Sequence, residues 1–184
     1  MLAIALAIKA TSPGPAILVQ ERVGKGGKIF AFYKFRSMYN HSDHSRDEQY
    51  ARDYIHGNHH VAAPRGGVFK PANDHRITPM GRWLRKTSLD ELPQLFNVLK
   101  GDMSLVGPRP SMPYEVDAYK PWHFRRLEVL PGITGLAQIK GRSSLTFKEI
   151  VSIDIEYIER RSLLLDLEIL LKTLPVVLSG RGAR

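Results

Sequence analysis

The chain has 184 residues, 43% of them hydrophobic, enough for one ordinary domain with a buried core and too apolar for wholesale disorder. Its formal charge of +9 and pI near 9.9 favour anionic partners, whether nucleic acid, anionic lipid or phosphorylated small molecules. Cysteine is absent, which excludes disulfides, a thiol nucleophile and cysteine-ligated zinc, and agrees with a reducing compartment.

The opening "MLAIALAIK" is apolar for eight residues and stops at Lys9. A membrane-spanning helix needs roughly 20 apolar residues, and a signal peptide a basic start. The stretch therefore reads as a short buried strand or helix end, or as the tail of a membrane segment. "TSPGPA" over 11–16 is turn chemistry. "AILVQERV" (16–23) and the aromatic "IFAFYKF" (29–35) read as two strands of a β-hairpin joined by "GKGGK". Those glycines lack the Walker pattern and a following helix, so a hairpin turn fits them better than a phosphate loop.

Residues 39–66 are polar and broken by glycine and proline, and read as a long loop or insertion with a short helix near 46–55. His41, His44, His56, His59 and His60 fall in this stretch without a recognisable zinc-ligand spacing, which favours a solvated loop. In "TPMGRWLRKTS" Thr78 is placed to cap a short basic helix whose first residue is Pro79.

A second helix is expected from about 90 to 99, stopping at Gly101. It opens on two adjacent carboxylates, Asp90 and Glu91. The spacing from Ser88 to Glu91 is that of a capping box, which is a structural explanation for Glu91. Pro93 weakens it: proline is free of cost only in a first helical turn, which suits a helix starting at Asp90 better than one capped by Ser88. "VGPRP" (106–110) reads as a rigid irregular segment, and a helix is expected over 121–129. Over 146–160, Phe147, Ile150, Val151 and Ile158 form one helical stripe, and Asp154 lies on it, as a buried polar contact or as a site residue. A last helix, about 163–178, is leucine-rich but charged, and suits a core or an interface rather than a bilayer span. The sum is a single α+β domain over 1–184, mainly helical with a small antiparallel hairpin.

Three segments combine basic and acidic side chains with constrained backbone: "YKFRSM" with Lys34 and Arg36, "RKTSLDE" with Arg85, Asp90 and Glu91, and "KGDMSLVGPRP" with Asp102 and Arg109. Arginine forks match phosphate oxygens, one carboxylate can attack phosphorus, and a second can hold Mg²⁺ against a diphosphate. These residue types suit phosphoryl transfer, although charged helix ends and loops are common.

The stretches "SPGPAILVQERVGKGGKIFAFYKFRSM", "RITPMGRWLRKTSLDELPQLFNVLKGDMSLVGPRP" and "LPGITGLAQIKGR" occur in order, and together the chain resembles the bacterial sugar transferases from about residue 2 to 183. These are monotopic phosphoglycosyl transferases, or polyprenyl-phosphate sugar-phosphate transferases. The resemblance implies transfer of a sugar 1-phosphate from a UDP-sugar to undecaprenyl phosphate with release of UMP. That is an initiating step of exopolysaccharide, capsule, O-antigen or protein-glycan synthesis. It implies that Asp90 forms a covalent phosphosugar intermediate and that Glu91 coordinates Mg²⁺, with Asp102 and Asp154 as candidate second carboxylates. Arg109 of the proline-arginine-proline motif would bind phosphate. Arg85 and Lys34 match basic positions near the site, and Arg36, Gln138 and Arg142 match further motif positions, all taken as substrate- or phosphate-binding.

The family enters the cytoplasmic face of the inner membrane through a re-entrant helix broken at a Ser-Pro pair. "LAIALAIK" matches only the end of that helix, and Ser12-Pro13 belongs to the later turn. The resemblance thus implies a truncated core, monotopic at the cytoplasmic membrane surface when whole. Neither the sugar nor the oligomeric state follows from the sequence; a homodimer is one state it allows. A non-catalytic membrane-surface assembly module is the alternative reading. Nucleic acid binding has only the charge in its favour, since no recognised binding motif is present.

Overall fold

The computed structural model describes residues 1–40, 45–57, 74–141 and 144–179. Helix α1 (Leu2–Thr11) leads through the Ser12–Ala16 turn into strand β1 (Ile17–Val23), a tight 3₁₀ turn (Lys25–Gly27) and strand β2 (Ile29–Phe35). The strands pair antiparallel in the register Ile17↔Phe35 to Val23↔Ile29, forming the expected hairpin. Gly26 and Gly27 carry the turn at positive φ, which glycine adopts freely. Helix α2 (Ser45–His56) falls where the short helix is expected. Residues 41–44 and 58–66 of this stretch lie outside the described residues, including His41, His44, His59 and His60.

Helix α3 (Pro79–Thr87) is capped as the sequence indicates: the Thr78 hydroxyl accepts from the Gly81 N–H at 2.9 Å, and Pro79 takes the first helical position. The helix expected over 90–99 divides in two. Leu89–Glu91 form a 3₁₀ turn, and helix α4 runs only over Gln94–Leu99, with Pro93 at its N-cap. Pro93 explains the division, because it has no N–H to continue the ladder across the junction. No side-chain cap forms at Ser88. A full capping box appears instead at Thr146, where Glu149 Oε2 accepts from the Thr146 N–H at 2.7 Å, opening the long helix below.

Beyond α4 come strand β3 (Ser104–Val106), helix α5 (Pro113–Val116), a 3₁₀ segment (Pro121–Glu128), strand β4 (Gly132–Thr134), helix α6 (Leu136–Lys140), helix α7 (Phe147–Arg160) and helix α8 (Leu163–Ser179). The 121–129 helix is thus 3₁₀ rather than α. β3 and β4 form a parallel pair, Ser104↔Gly132 and Val106↔Thr134, so the segment read as irregular leaves directly from a strand. The buried face of α7 is Phe147, Val151, Asp154 and Tyr157, with Tyr157 taking the place expected of Ile158.

Four apolar clusters hold these elements. One joins α1 (Ile8), the hairpin base (Ala16, Phe35) and α3 (Leu84); a second packs Phe30 and Phe32 on Met103. The third sets α2 and α7 together through Ile55 and Val151, and the last gathers Val106, Leu136, Tyr157 and Ile169. The edge of β2 is closed by a side chain: Asn97, fully buried on α4, accepts from the Tyr33 N–H at 3.1 Å and donates to the Ala31 carbonyl at 2.7 Å. Among the described residues no helix is long and apolar enough to cross a membrane.

Candidate active site

Ser88 turns the chain between α3 and the dyad. It adopts a left-handed conformation (φ 56°), and its N–H returns to the Arg85 and Leu84 carbonyls, ending α3. The 3₁₀ turn that follows delivers Asp90 and Glu91 onto the hairpin. In the β1/β2 register, Leu18↔Lys34, Gln20↔Phe32 and Arg22↔Phe30 share one sheet face. Lys34 Nζ reaches Asp90 Oδ2 at 2.7 Å, and the Asp90 side chain is only 3% exposed. Glu91 is more open and pairs with Arg109, Nη1 to Oε1 at 3.0 Å. The dyad is therefore two ion pairs side by side, one buried and one accessible.

Arg85, in the last turn of α3, donates from Nε to the Ser37 hydroxyl at 2.8 Å. Burial lowers its pKa, and the nearby charge of Asp90 works against that shift. The approach of α3 is fixed by Gly81: a Cβ there would meet the Ser37 carbonyl oxygen at 1.9 Å.

Arg109 stands between two prolines in a loop whose carbonyls are all engaged. Pro108 O accepts from the Gly132 N–H (2.9 Å), Arg109 O from Arg126 Nη2 (3.3 Å), Pro110 O from Arg22 Nη1 (3.0 Å) and Ser111 O from the Val23 N–H (2.9 Å). The Glu91 carboxylate holds the Arg109 guanidinium above its ordinary pKa, against the opposing effect of burial.

Lys34, Arg85, Asp90, Glu91 and Arg109 thus converge. The other residues singled out from the sequence lie elsewhere. Arg36 is buried and ties β2 to the end of α1, with Nη2 at 2.8 Å from the Ser12 carbonyl and Nη1 on the Pro13 carbonyl. Gln138 Nε2 donates to the Ile133 carbonyl at 2.9 Å, binding α6 to β4. Asp102 follows α4, where its N–H meets the Asn97 carbonyl at 3.0 Å. Asp154 pairs with Arg126 at 2.7 Å, both side chains buried. Arg142 lies outside the described residues. Among the described residues no three His, Cys, Asp or Glu side chains gather as a metal site. Sequence reasoning passed over Arg22 and Arg126. For Arg22 the period-2 alternation already places it on the face of Lys34; Arg126 carries no such signal.

The description "bacterial sugar transferase" matches residues 1–180 of the chain. The chain belongs to the bacterial sugar transferase family. It is 51% identical over 172 residues to the galactosyl transferase CpsE of Streptococcus agalactiae, covering 93% of this chain and 36% of that protein. It is 48% identical over 170 residues to the undecaprenyl-phosphate galactose phosphotransferase of Salmonella typhimurium, covering 92% and 35%. With the UDP-N-acetylgalactosamine-undecaprenyl-phosphate N-acetylgalactosaminephosphotransferase of Aeromonas hydrophila the identity is 42% over 190 residues, covering 100% of this chain and 40% of that protein. The chain spans little more than a third of the length of these relatives. In this bacterial sugar transferase, the five converging residues occupy one face of the hairpin and the joint between α3 and α4.

Proposed function

We propose that the protein transfers a sugar 1-phosphate from a UDP-sugar to undecaprenyl phosphate and releases UMP. The observation that carries this reading is the buried Lys34–Asp90 pair beside the accessible Glu91–Arg109 pair. A carboxylate already held by a cation is aimed, and an arginine fork at its side suits phosphate oxygens. The names of the relatives from Salmonella and Aeromonas supply the lipid acceptor, and that from Aeromonas the nucleotide donor.

In this mechanism an Asp90 oxygen attacks the sugar-bearing phosphorus of the donor. The bond from that phosphorus to the UMP oxygen breaks, and UMP departs with the electron pair. Lys34 passes from the carboxylate to the developing phosphoryl charge, while Arg109 and Arg85 hold non-bridging oxygens. An oxygen of undecaprenyl phosphate then attacks the same phosphorus and returns Asp90 as a free carboxylate. Glu91 fits a Mg²⁺ ligand, because this ion commonly takes one or two carboxylates and completes its shell with substrate phosphates and water. Bound there, it would neutralise diphosphate charge.

Contact with a membrane surface is part of the reading. Leu2 and Leu6 on α1, Phe96 and Leu99 on α4, and Leu163 and Leu164 on α8 are exposed. Apolar side chains in this number suit an interfacial position. The deciding experiment is intact mass spectrometry of the protein with a panel of UDP-hexoses and UDP-N-acetylhexosamines and Mg²⁺ but no acceptor. A mass gain of one sugar phosphate on the wild type, absent in Asp90→Asn, is expected. UMP release by Asp90→Asn at the wild-type rate would overturn the covalent route. Failure of every UDP-sugar in the panel to yield UMP with undecaprenyl phosphate would overturn the activity.

A further inference from the structure

We propose that Arg22 and Arg126 are positioning residues for Arg109, two guanidiniums that grip consecutive main-chain carbonyls of the Pro–Arg–Pro loop and so set where the Arg109 fork meets a phosphate. The functional part of this inference rests on the donor-binding reading above.

The loop needs outside help. Pro108 and Pro110 have no N–H to offer, so the backbone around Arg109 is anchored almost entirely through its carbonyls. Pro108 O and Ser111 O are held by main-chain donors from β4 and β1, the ordinary solution. The two between them, Arg109 O and Pro110 O, are held by charged side chains from separate elements. Rotation of either peptide would swing the Arg109 side chain away from Glu91, and both rotations are blocked.

Arg126 is built as a hub. Its Nε meets Asp154 Oδ2 at 2.7 Å, Nη1 meets the Tyr119 hydroxyl at 2.7 Å and the Ser111 hydroxyl at 3.3 Å, and Nη2 reaches Arg109 O at 3.3 Å. One planar fork thus joins α7 to the loop on either side of Pro110. Lysine offers a single point charge and cannot span these directions at once. Asp154, which the sequence offered as a metal ligand, has its carboxylate in this hub.

Arg22 lacks a carboxylate within ion-pair distance in the described structure. Its guanidinium lies 5.0 Å from the centre of the Phe32 ring, Nη1 donates to Pro110 O, and Nε is buried with no hydrogen-bond partner. Burial, and then the charge of Arg109, pull its pKa down to about 10. A neutral donor would satisfy one carbonyl without a buried cation facing a second cation. A guanidinium in this place adds positive charge beside Arg109, which suits a site for a diphosphate.

The test is a mutant cycle. Arg126→Lys and Arg22→Lys are each made alone and together with Arg109→Lys, and kcat and KM for the UDP-sugar are compared with the thermal midpoint. Each single variant is expected to lower kcat/KM about tenfold or more, but less than about twofold once Arg109 is already lysine. The midpoint shift should be equal in both backgrounds. Equal fold-losses of kcat/KM in both backgrounds would overturn the proposal. Arg22→Lys leaves no carboxylate stranded, so it decides the matter if Arg126→Lys fails to fold. A second readout is independent of turnover: the Arg109 Nε–H resonance, assigned by its loss in Arg109→Lys, is expected to shift or broaden in the variants. An unchanged resonance overturns the clamp. If the wild type releases no UMP while this resonance still responds, the functional reading fails and the clamp stands.

Discussion

Lys34 Nζ and Asp90 Oδ2 lie 2.7 Å apart, a contact between the second strand of the hairpin and the turn that separates two helices. Only 3% of the Asp90 side chain and 17% of the Lys34 side chain is exposed, so neither charge is well served by solvent. Removing one partner strands the other. Lys34→Met is therefore expected to lower stability by about 3 kcal/mol and to reduce UMP release by about 100-fold or more. Lys34→Arg should restore most of the stability and little of the activity. Chemical denaturation and a UMP assay on the same samples check both; a Lys34→Met protein of wild-type stability would show that the pair is not formed.

Glu91 differs from Asp90 in being open to an incoming ion. Glu91→Gln is expected to raise the Mg²⁺ concentration for half-maximal turnover about tenfold or more. Asp102→Asn should leave that concentration where it is, because among the described residues no third carboxylate gathers with Asp90 and Glu91. Chelation of Mg²⁺ should stop turnover in the wild type. A Mg²⁺ titration of the three proteins is the measurement, and an equal shift for both variants would remove Glu91 from its special position.

Helix propensity and packing make opposite predictions at Gly81. In an exposed helix, Gly→Ala stabilises by about 1 kcal/mol. Here the added Cβ would meet the Ser37 carbonyl oxygen at 1.9 Å and its carbon at 2.6 Å, both backbone atoms. Gly81→Ala is therefore expected to destabilise by about 1–3 kcal/mol and, by pushing α3 outward, to weaken the Arg85–Ser37 contact and reduce turnover. A raised thermal midpoint would contradict the packing described for α3.

Asp74 gives the fold an acid limit. Its hydrogen bonds to Arg76, Nε to Oδ1 at 2.9 Å and Nη2 to Oδ2 at 2.7 Å, pull its pKa from 3.8 down to about 2 despite partial burial. A carboxylate lowered on folding contributes stability that is present above 3.8 and lost as the pH falls toward 2. Asp74→Asn should be less stable than the wild type at neutral pH, and its stability should change less over that acid window. Denaturation midpoints through the window check this; parallel profiles would discount the pair.

How far the sequence could be read depended on the reach of each interaction. The hairpin and the Thr78 cap follow from neighbours a few residues apart, and both are present; the stripe on α7 holds at Phe147, Val151 and Asp154 and passes to Tyr157 in place of Ile158. The adjacency of Asp90 and Glu91 was visible, but the partition of their partners was not. Lys34 and Arg109 come from distant parts of the chain, and nothing local says which carboxylate each will meet. Asp154 was ambiguous on its stripe because its partner, Arg126, sits in a 3₁₀ segment without helical periodicity. The parallel β3/β4 pair escaped notice because each strand has three residues, too few to show alternation. Arg36 looks like Lys34 in the same motif, yet it stands just past the end of β2, where its guanidinium turns to the carbonyls that follow α1.

Because Asp90, the proposed nucleophile, is held by a residue on the hairpin, far from it along the chain, the arrangement is a long-range closure. Neither the hairpin nor the short helices contain the complete pair. Activity is therefore a direct gauge of whether the hairpin has docked. During unfolding, turnover should vanish with the loss of that docking, ahead of any loss of helix signal.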